Sequence, residues 1–89
     1  DYQEFAKALI HYLRQAFLLK INPGMMSPMI IGLTKEEQEK ILEQTEKFTL
    51  GEIQQALNLF LEAENKIKYS SIPQLPIELA IVEFIEPKE

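Results

Sequence analysis

Apolar side chains recur at helical spacing over the first twenty residues of the chain. They form two neighbouring stripes, which are Phe5, Leu9, Tyr12, Ala16 and Leu19, and Ala6, Ile10, Leu13, Phe17 and Ile21. Two adjacent stripes are typical of a helix that packs against more than one neighbour. The pattern predicts a helix over residues 2–21, and Asn22-Pro23-Gly24 ends it because proline cannot continue a helix. Leu18 interrupts the polar row on the opposite side.

Two capping boxes mark the starts of the next two helices. Thr34 is followed three residues later by Glu37, and Thr49 by Glu52. They predict helices over about 35–47 and about 50–68. Phe48 lies just before the second box, and Ile53 follows it by five positions. This spacing predicts a hydrophobic staple between the two side chains. The predicted core face of the second helix comprises Ile53, Ala56, Leu57, Phe60, Leu61 and Ile67, whereas Leu59 is an apolar exception on the outward row.

A last helix opens at Pro76 and is ended by Pro87. Between them the chain is apolar nearly all round the helix, which is typical of a helix that is central in a bundle or shared with a partner. Residues 22–33 are irregular, and we expect a loop there with at most one short apolar turn. No strand pattern is present. The chain is therefore expected to be a single all-α domain over residues 1–89, an antiparallel bundle of four to five helices.

Composition and charge exclude several classes of function. The 89 residues contain no cysteine and one histidine, which excludes disulfides, thiolate metal sites and a histidine-rich zinc site. A net charge of −5 argues against a domain that grips nucleic-acid phosphates. Neither a membrane-spanning run nor a signal peptide is visible, so we expect a cytoplasmic protein. Because the sequence begins at Asp1, we also expect it to be a fragment of a longer subunit.

Catalytic motifs are missing from the sequence. It contains no glycine-rich phosphate loop, no nucleophile elbow and no zinc-protease motif, so we expect no enzyme activity, catalytic residue, cofactor site or metal site in this chain. His11 is a conceivable general base, but an exposed histidine on a solvated face is favoured. Three further groups of residues each allow a functional and a structural interpretation, and the structural one is favoured. Metal ligands or a solvated face are the alternatives for Glu36, Glu37, Glu39 and Glu43. An adaptable binding surface or packing under a loop are the alternatives for Met25, Met26 and Met29, and nucleophiles or turn residues for Ser70 and Ser71.

Apolar residues on otherwise polar rows are the strongest sign of an interface in the sequence. Two leucines at such positions and the apolar residues of the last helix together present more apolar surface than a small bundle can bury. The candidate subunit-interface residues are Leu18, Leu59, Leu79, Val82 and Ile85.

The stretch from Lys68 to Val82, which contains Tyr-Ser-Ser, Pro73 and Leu-Pro-Ile-Glu-Leu-Ala, resembles the end of the third domain of the bacterial DNA polymerase III gamma/tau subunit, in the clamp-loader family. The stretch from Leu13 to Lys20 is similar to the Leu-rich first helix of that domain, and Thr34 to Glu37 to the Glu-rich start of its next helix. This chain has Ile72-Pro73-Gln74 where the family has Asn-Pro-Arg, so no role of that Asn or Arg carries over.

The resemblance implies an all-helical collar that assembles the clamp loader. Its partners would be gamma/tau copies, delta and delta-prime subunits, and ATP and zinc would bind only in upstream domains. The parent protein would then be a subunit of a DNA-directed DNA polymerase holoenzyme, in which an upstream ATPase loads the sliding clamp during replication. A free-standing helical adaptor or ligand-binding domain, unrelated to replication, is the alternative.

Overall fold

The computed structural model describes residues 1–22 and 32–86, and these form an all-α helical bundle. Its helices in chain order are α1 (Tyr2–Ile21), α2 (Lys35–Gln44), α3 (Leu50–Ile67) and α4 (Leu75–Ile85). The prediction of an all-α bundle is confirmed for this part of the chain. The predicted short turn in the loop falls mostly on residues 23–31, which lie outside the described residues. Pro87 also lies outside them.

Both predicted capping boxes are formed. The hydroxyl of Thr34 accepts from the backbone N–H of Glu37, whose carboxylate accepts from the N–H of Thr34. Thr49 and Glu52 repeat this exchange at the start of α3. Each box satisfies backbone donors that the first turn of a helix leaves without an acceptor, so it fixes where the helix begins. Gly32, at φ +70°, supplies the left-handed residue that leads the chain into α2.

Three predicted helix boundaries need small corrections. The second helix ends at Gln44 rather than near residue 47. After it the backbone bonds join residues three apart, Glu46 to Glu43 and Phe48 to Thr45, and the chain turns toward α3. The third ends at Ile67, one residue early. The last begins at Leu75, one residue before Pro76, which is compatible with proline because first-turn N–H groups have no acceptor within the helix.

The core is built around α3, against which both α1 and α4 pack. One cluster joins α1, α3 and α4 and is rich in alanine; it comprises Ala6, Ala56, Phe60, Ala63, Ile67, Ile77 and Ala80. A second cluster joins α1, α2 and α3 and comprises Ala16, Leu19, Ile41 and Ile53. Small side chains let helices approach closely, but they bury little apolar area each.

Three residues predicted to be buried are exposed. Phe5 and Ile21 belong to the predicted stripes of α1, and Leu61 to the predicted core face of α3, yet all three lie at the surface. The bundle is flat, with Cα extents of 43 × 33 × 15 Å, so it covers fewer helix faces than a round bundle does. The radius of gyration is 14.2 Å, against about 12 Å for a typical domain of this length. This shape leaves apolar surface open to solvent.

Candidate subunit interface

Helix α4 has one buried side and one exposed apolar side. Ile77 and Ala80 are buried in the cluster shared with α1 and α3, and Pro76 is buried beside α3. The other side carries Leu79 and Val82, with exposed fractions of 59% and 54%. The sequence produces this division because apolar residues occupy nearly every position of the helix, whereas α3 can cover only one side of it.

Three of the five predicted interface residues lie on this exposed side. Ile85, at 70% exposed, extends the surface past Leu79 and Val82 to the end of the helix. Exposure of three large aliphatic side chains on a single helix is the property that an association surface requires. Their role as an interface stays a prediction.

The other two predicted interface residues are only partly exposed. Leu59 packs against the cluster that joins α1, α3 and α4, and Leu18 against the cluster that joins α1, α2 and α3. Both leucines are therefore less exposed than the sequence pattern indicated, and their role at an interface stays a prediction. The sequence pattern assigns each helix a single polar side that faces solvent. In the bundle, α1 and α3 each contact two neighbours, so the buried side of each helix is wider than the pattern indicated.

Leu59 is nevertheless connected to the exposed side of α4. It lines, together with Leu79, a groove of about 60 Å³ between α3 and α4. At the edge of this groove Lys66 and Glu62 form an exposed ion pair of 3.2 Å. The groove therefore brings together two of the predicted interface residues, Leu59 of α3 and Leu79 of α4.

The exposed apolar surface also contains residues that the sequence prediction left out. Seven of the thirteen large apolar residues exposed in the described chain fall between residues 69 and 85: Tyr69, Ile72, Leu75, Leu79, Ile81, Val82 and Ile85. Tyr69 is 88% exposed and lies beside Leu75 and Leu79 in a shallow depression. The high density of apolar residues after position 68 was the available signal, since a segment this short cannot bury all of them.

A further concave feature lies where α1, the end of α2, α3 and the end of α4 meet. It is a cavity of about 270 Å³ whose lining is almost wholly apolar and comprises Leu9, Tyr12, Leu13, Gln44, Thr45, Phe48, Ile53, Ala56, Phe60 and Phe84. The Tyr12 hydroxyl donates to Gln44 Oε1 at 2.7 Å, and burial raises the pKa of Tyr12. The cavity offers space for an apolar group and hardly any polar anchor.

The side chains considered for catalysis have structural surroundings. His11 is exposed and lies 3.3 Å from the Gln15 amide. The Ser70 hydroxyl donates to the Ile72 carbonyl at 2.7 Å and accepts from its N–H, which is the turn role predicted for it. Glu36, Glu37, Glu39 and Glu43 are all exposed, as a solvated face requires. Among the described residues no three acidic or histidine side chains group as a metal site does.

Comparison with protein-family models, with curated proteins and with solved structures gives no significant match. Within residues 1–22 and 32–86, no helix combines the length and apolar content that crossing a membrane requires.

Proposed function

We propose that this chain is an assembly module whose contact surface is the exposed side of α4. The observation that carries the proposal is the concentration of exposed apolar residues between Tyr69 and Ile85. Apolar surface favours association because contact with a partner removes it from water. The flat bundle has no remaining helix with which to cover it among the described residues.

The assembly that we propose is the collar of a bacterial DNA polymerase III clamp loader. In this role the chain holds gamma/tau, delta and delta-prime subunits together while upstream ATPase domains load the sliding clamp, and it acts in the cytoplasm without catalytic activity of its own. Support comes from the resemblance of the Tyr69–Ala80 stretch to the third domain of gamma/tau and from the all-α fold that this resemblance implies. The same stretch contributes much of the exposed apolar surface.

The test measures complex formation with the delta and delta-prime subunits of the same organism, by light scattering coupled to size exclusion. Val82→Glu places a charge on the exposed side of α4, and we expect it to abolish or strongly weaken the complex. Leu61→Glu is the matched control, because Leu61 is also exposed but lies on α3 and lines none of the grooves beside α4. Equal loss in both variants, or none in either, would contradict the proposal.

A ligand-binding domain is the second candidate, and the cavity beside Phe48 and Phe84 favours it. Its volume and apolar lining suit a small hydrophobic ligand rather than a polar metabolite. Saturable binding of a hydrophobic fluorescent probe that Phe60→Trp alters, without any subunit association, would support this candidate over the assembly module.

A further inference from the structure

The cavity where the four helices meet is lined by aromatic rings from four parts of the fold. The chain has three tyrosines and five phenylalanines, and four of these eight residues line the cavity: Tyr12, Phe48, Phe60 and Phe84. They belong to α1, to the turn before α3, to α3 and to α4. The packing of the bundle therefore places half of the aromatic residues of the chain around one open space.

The volume of the cavity limits the size of a ligand. It is about 270 Å³. An apolar cavity of about 150 Å³ binds benzene, and pockets for drug-sized molecules begin at about 300 Å³. The space therefore suits one aromatic ring with a substituent of a few atoms rather than a molecule of several rings.

The lining selects a neutral ligand. None of the residues that line the cavity has a carboxylate, an ammonium or a guanidinium group. The Thr45 hydroxyl donates to the Ile41 carbonyl at 2.8 Å. The Tyr12 hydroxyl donates to Gln44 Oε1, so the protons of both hydroxyl groups are bound within the chain. A charged ligand would lose its hydration in the cavity without gaining a partner of opposite charge.

Aromatic walls favour an aromatic ligand over a saturated one. Aromatic rings attract one another in offset or edge-to-face contacts, with centroids about 4.5–7 Å apart. Phe48 and Phe84 already make a tilted contact of this kind, at 6.3 Å. A ligand ring in the cavity can contact several such walls at once. We therefore expect an aromatic ring to bind about two- to tenfold more tightly than a saturated ring of the same size.

Phe84 connects the cavity to the end of α4. Between Ile81 and Ile85 every residue is exposed except Phe84, which is partly buried. Phe84 packs against the cluster that joins α1, α3 and α4, and it forms part of the cavity wall. When the end of α4 detaches from the bundle, this wall is lost. A ligand bound in the cavity therefore favours the attached state of the helix end.

We infer that this cavity binds a small neutral ligand with one aromatic ring, and that the bound ligand holds the end of α4 in place through Phe84. The inference rests on the second candidate function above, for which it names the ligand class. It does not require the clamp-loader collar, because assembly uses the exposed side of α4 whereas Phe84 lies on its packed side. Since Val82 and Ile85 lie beside Phe84 in the helix, the ligand also fixes part of the exposed apolar surface.

The test is an NMR titration of the purified chain with toluene, methylcyclohexane and benzoate. Toluene should shift the methyl signals of Leu13, Ile53 and Ala56, which line the cavity, and saturate with a Kd of about 1 mM or lower. Methylcyclohexane is of similar size without the aromatic ring and should bind about two- to tenfold more weakly. Benzoate adds a charge and should not saturate. Absence of saturable shifts with toluene overturns the site, and equal Kd values for toluene and methylcyclohexane overturn the aromatic preference.

Two tryptophan variants show whether toluene binds inside the cavity. Leu9 and Ile10 are both partly exposed on α1 and pack against the same cluster, but only Leu9 lines the cavity. Leu9→Trp fills part of the space and should weaken toluene binding by about tenfold or more, because close packing leaves no room for both. Ile10→Trp is the matched control and should leave the Kd unchanged. Equal effects of the two variants contradict binding in the cavity. If thermal melts show that Leu9→Trp is unfolded, Phe84→Leu removes one aromatic wall instead and should also weaken toluene binding.

Amide hydrogen exchange tests the effect on α4. The N–H of Glu86 donates to the Val82 carbonyl at 2.9 Å in the last turn of the helix. At a toluene concentration of three times the Kd, the N–H groups of Ile85 and Glu86 should exchange up to about fourfold more slowly, because only the attached state binds the ligand. Saturable binding with unchanged exchange at these two residues overturns the link through Phe84.

Failure of this inference is distinguishable from failure of either proposed function. If toluene does not bind while Val82→Glu weakens the complex with the delta and delta-prime subunits, the inference fails and the assembly function stands. If toluene binds and protects the end of α4 while Val82→Glu changes no association, the assembly function fails and the inference stands. If toluene does not bind but a hydrophobic fluorescent probe does, in a way that Phe60→Trp alters, the cavity is a ligand site and the inferred ligand class is wrong.

Discussion

The rings of Phe48 and Phe84 lie with their centroids 6.3 Å apart and their planes inclined by 38°. Phe48 belongs to the turn before α3, and Phe84 to the last turn of α4. The contact therefore links the start of α3 to the end of α4. The staple partner predicted for Phe48 was Ile53. Both residues line the same cavity, but the aromatic contact of Phe48 is made with α4.

The aromatic pair predicts a measurable coupling between the turn and α4. Because Phe48 is 43% exposed, Phe48→Ala should lower the free energy of unfolding by about 1–2 kcal/mol, less than the loss for a fully buried ring. A double-mutant cycle with Phe84→Ala, measured by urea unfolding, should give a coupling of about 0.5–1.5 kcal/mol. Strict additivity of the two substitutions would show that the rings do not interact in solution.

Substitution by glutamate should destabilise the chain more at Leu59 than at Val82. Leu59 packs against the core, so Leu59→Glu should destabilise the isolated chain by about 1–3 kcal/mol, because a carboxylate there is partly removed from water. Val82 is exposed, so Val82→Glu should change stability by about 0.5 kcal/mol or less. Thermal unfolding of both variants checks this. Equal melting temperatures would contradict the difference in burial.

Leu19 and Leu61 form a matched pair for the core assignment. Leu19 is the largest fully buried side chain among the described residues, and Leu19→Ala should cost about 2–5 kcal/mol because it leaves a cavity between α1, α2 and α3. Leu61→Ala, at a residue 43% exposed, should cost less than about 1 kcal/mol. Chemical unfolding at one temperature compares them directly, and a larger loss at Leu61 would mean that α3 is rotated relative to the structure.

The capping box of α3 should contribute to stability independently of the core. Thr49→Ala removes the hydroxyl that accepts from the Glu52 N–H at 3.1 Å, and we expect a loss of about 0.5–2 kcal/mol. Thr49→Ser keeps the acceptor and should retain most of the stability. If Ala and Ser give the same melting temperature, the cap bond is not formed in solution.

Glu37 should titrate below the ordinary glutamate pKa of 4.5, because its carboxylate accepts a backbone hydrogen bond from Thr34 and is further favoured by the Thr34 hydroxyl contact. A pKa that is lower in the folded state stabilises the fold above the unfolded value, and this contribution is lost as pH falls through the folded pKa. NMR titration of Glu37 should give a midpoint below 4.5. Glu37→Gln should reduce the pH dependence of unfolding in that acidic range, and an unshifted midpoint would contradict the capping geometry.

Local chemistry explains which parts of the fold the sequence predicts well. The starts of α2 and α3 are set by Thr34 and Thr49, whose boxes involve residues three apart. Such signals depend only on neighbouring residues. The end of α2 is predicted less well, because the chain changes after Gln44 to backbone bonds between residues three apart, which no apolar spacing indicates.

Local sequence patterns suffice to predict that the chain is helical, where its helices begin, and that the segment after residue 68 is too apolar to be buried entirely. The packing of the helices decided which residues of that segment are exposed, since this depends on the side of α4 that α3 covers. It also decided that Leu18 and Leu59 are partly buried, that Leu61 is exposed, and that Phe48 meets Phe84. Helical periodicity specifies angles around one helix axis, whereas burial depends on how many neighbours the flat bundle places around that axis.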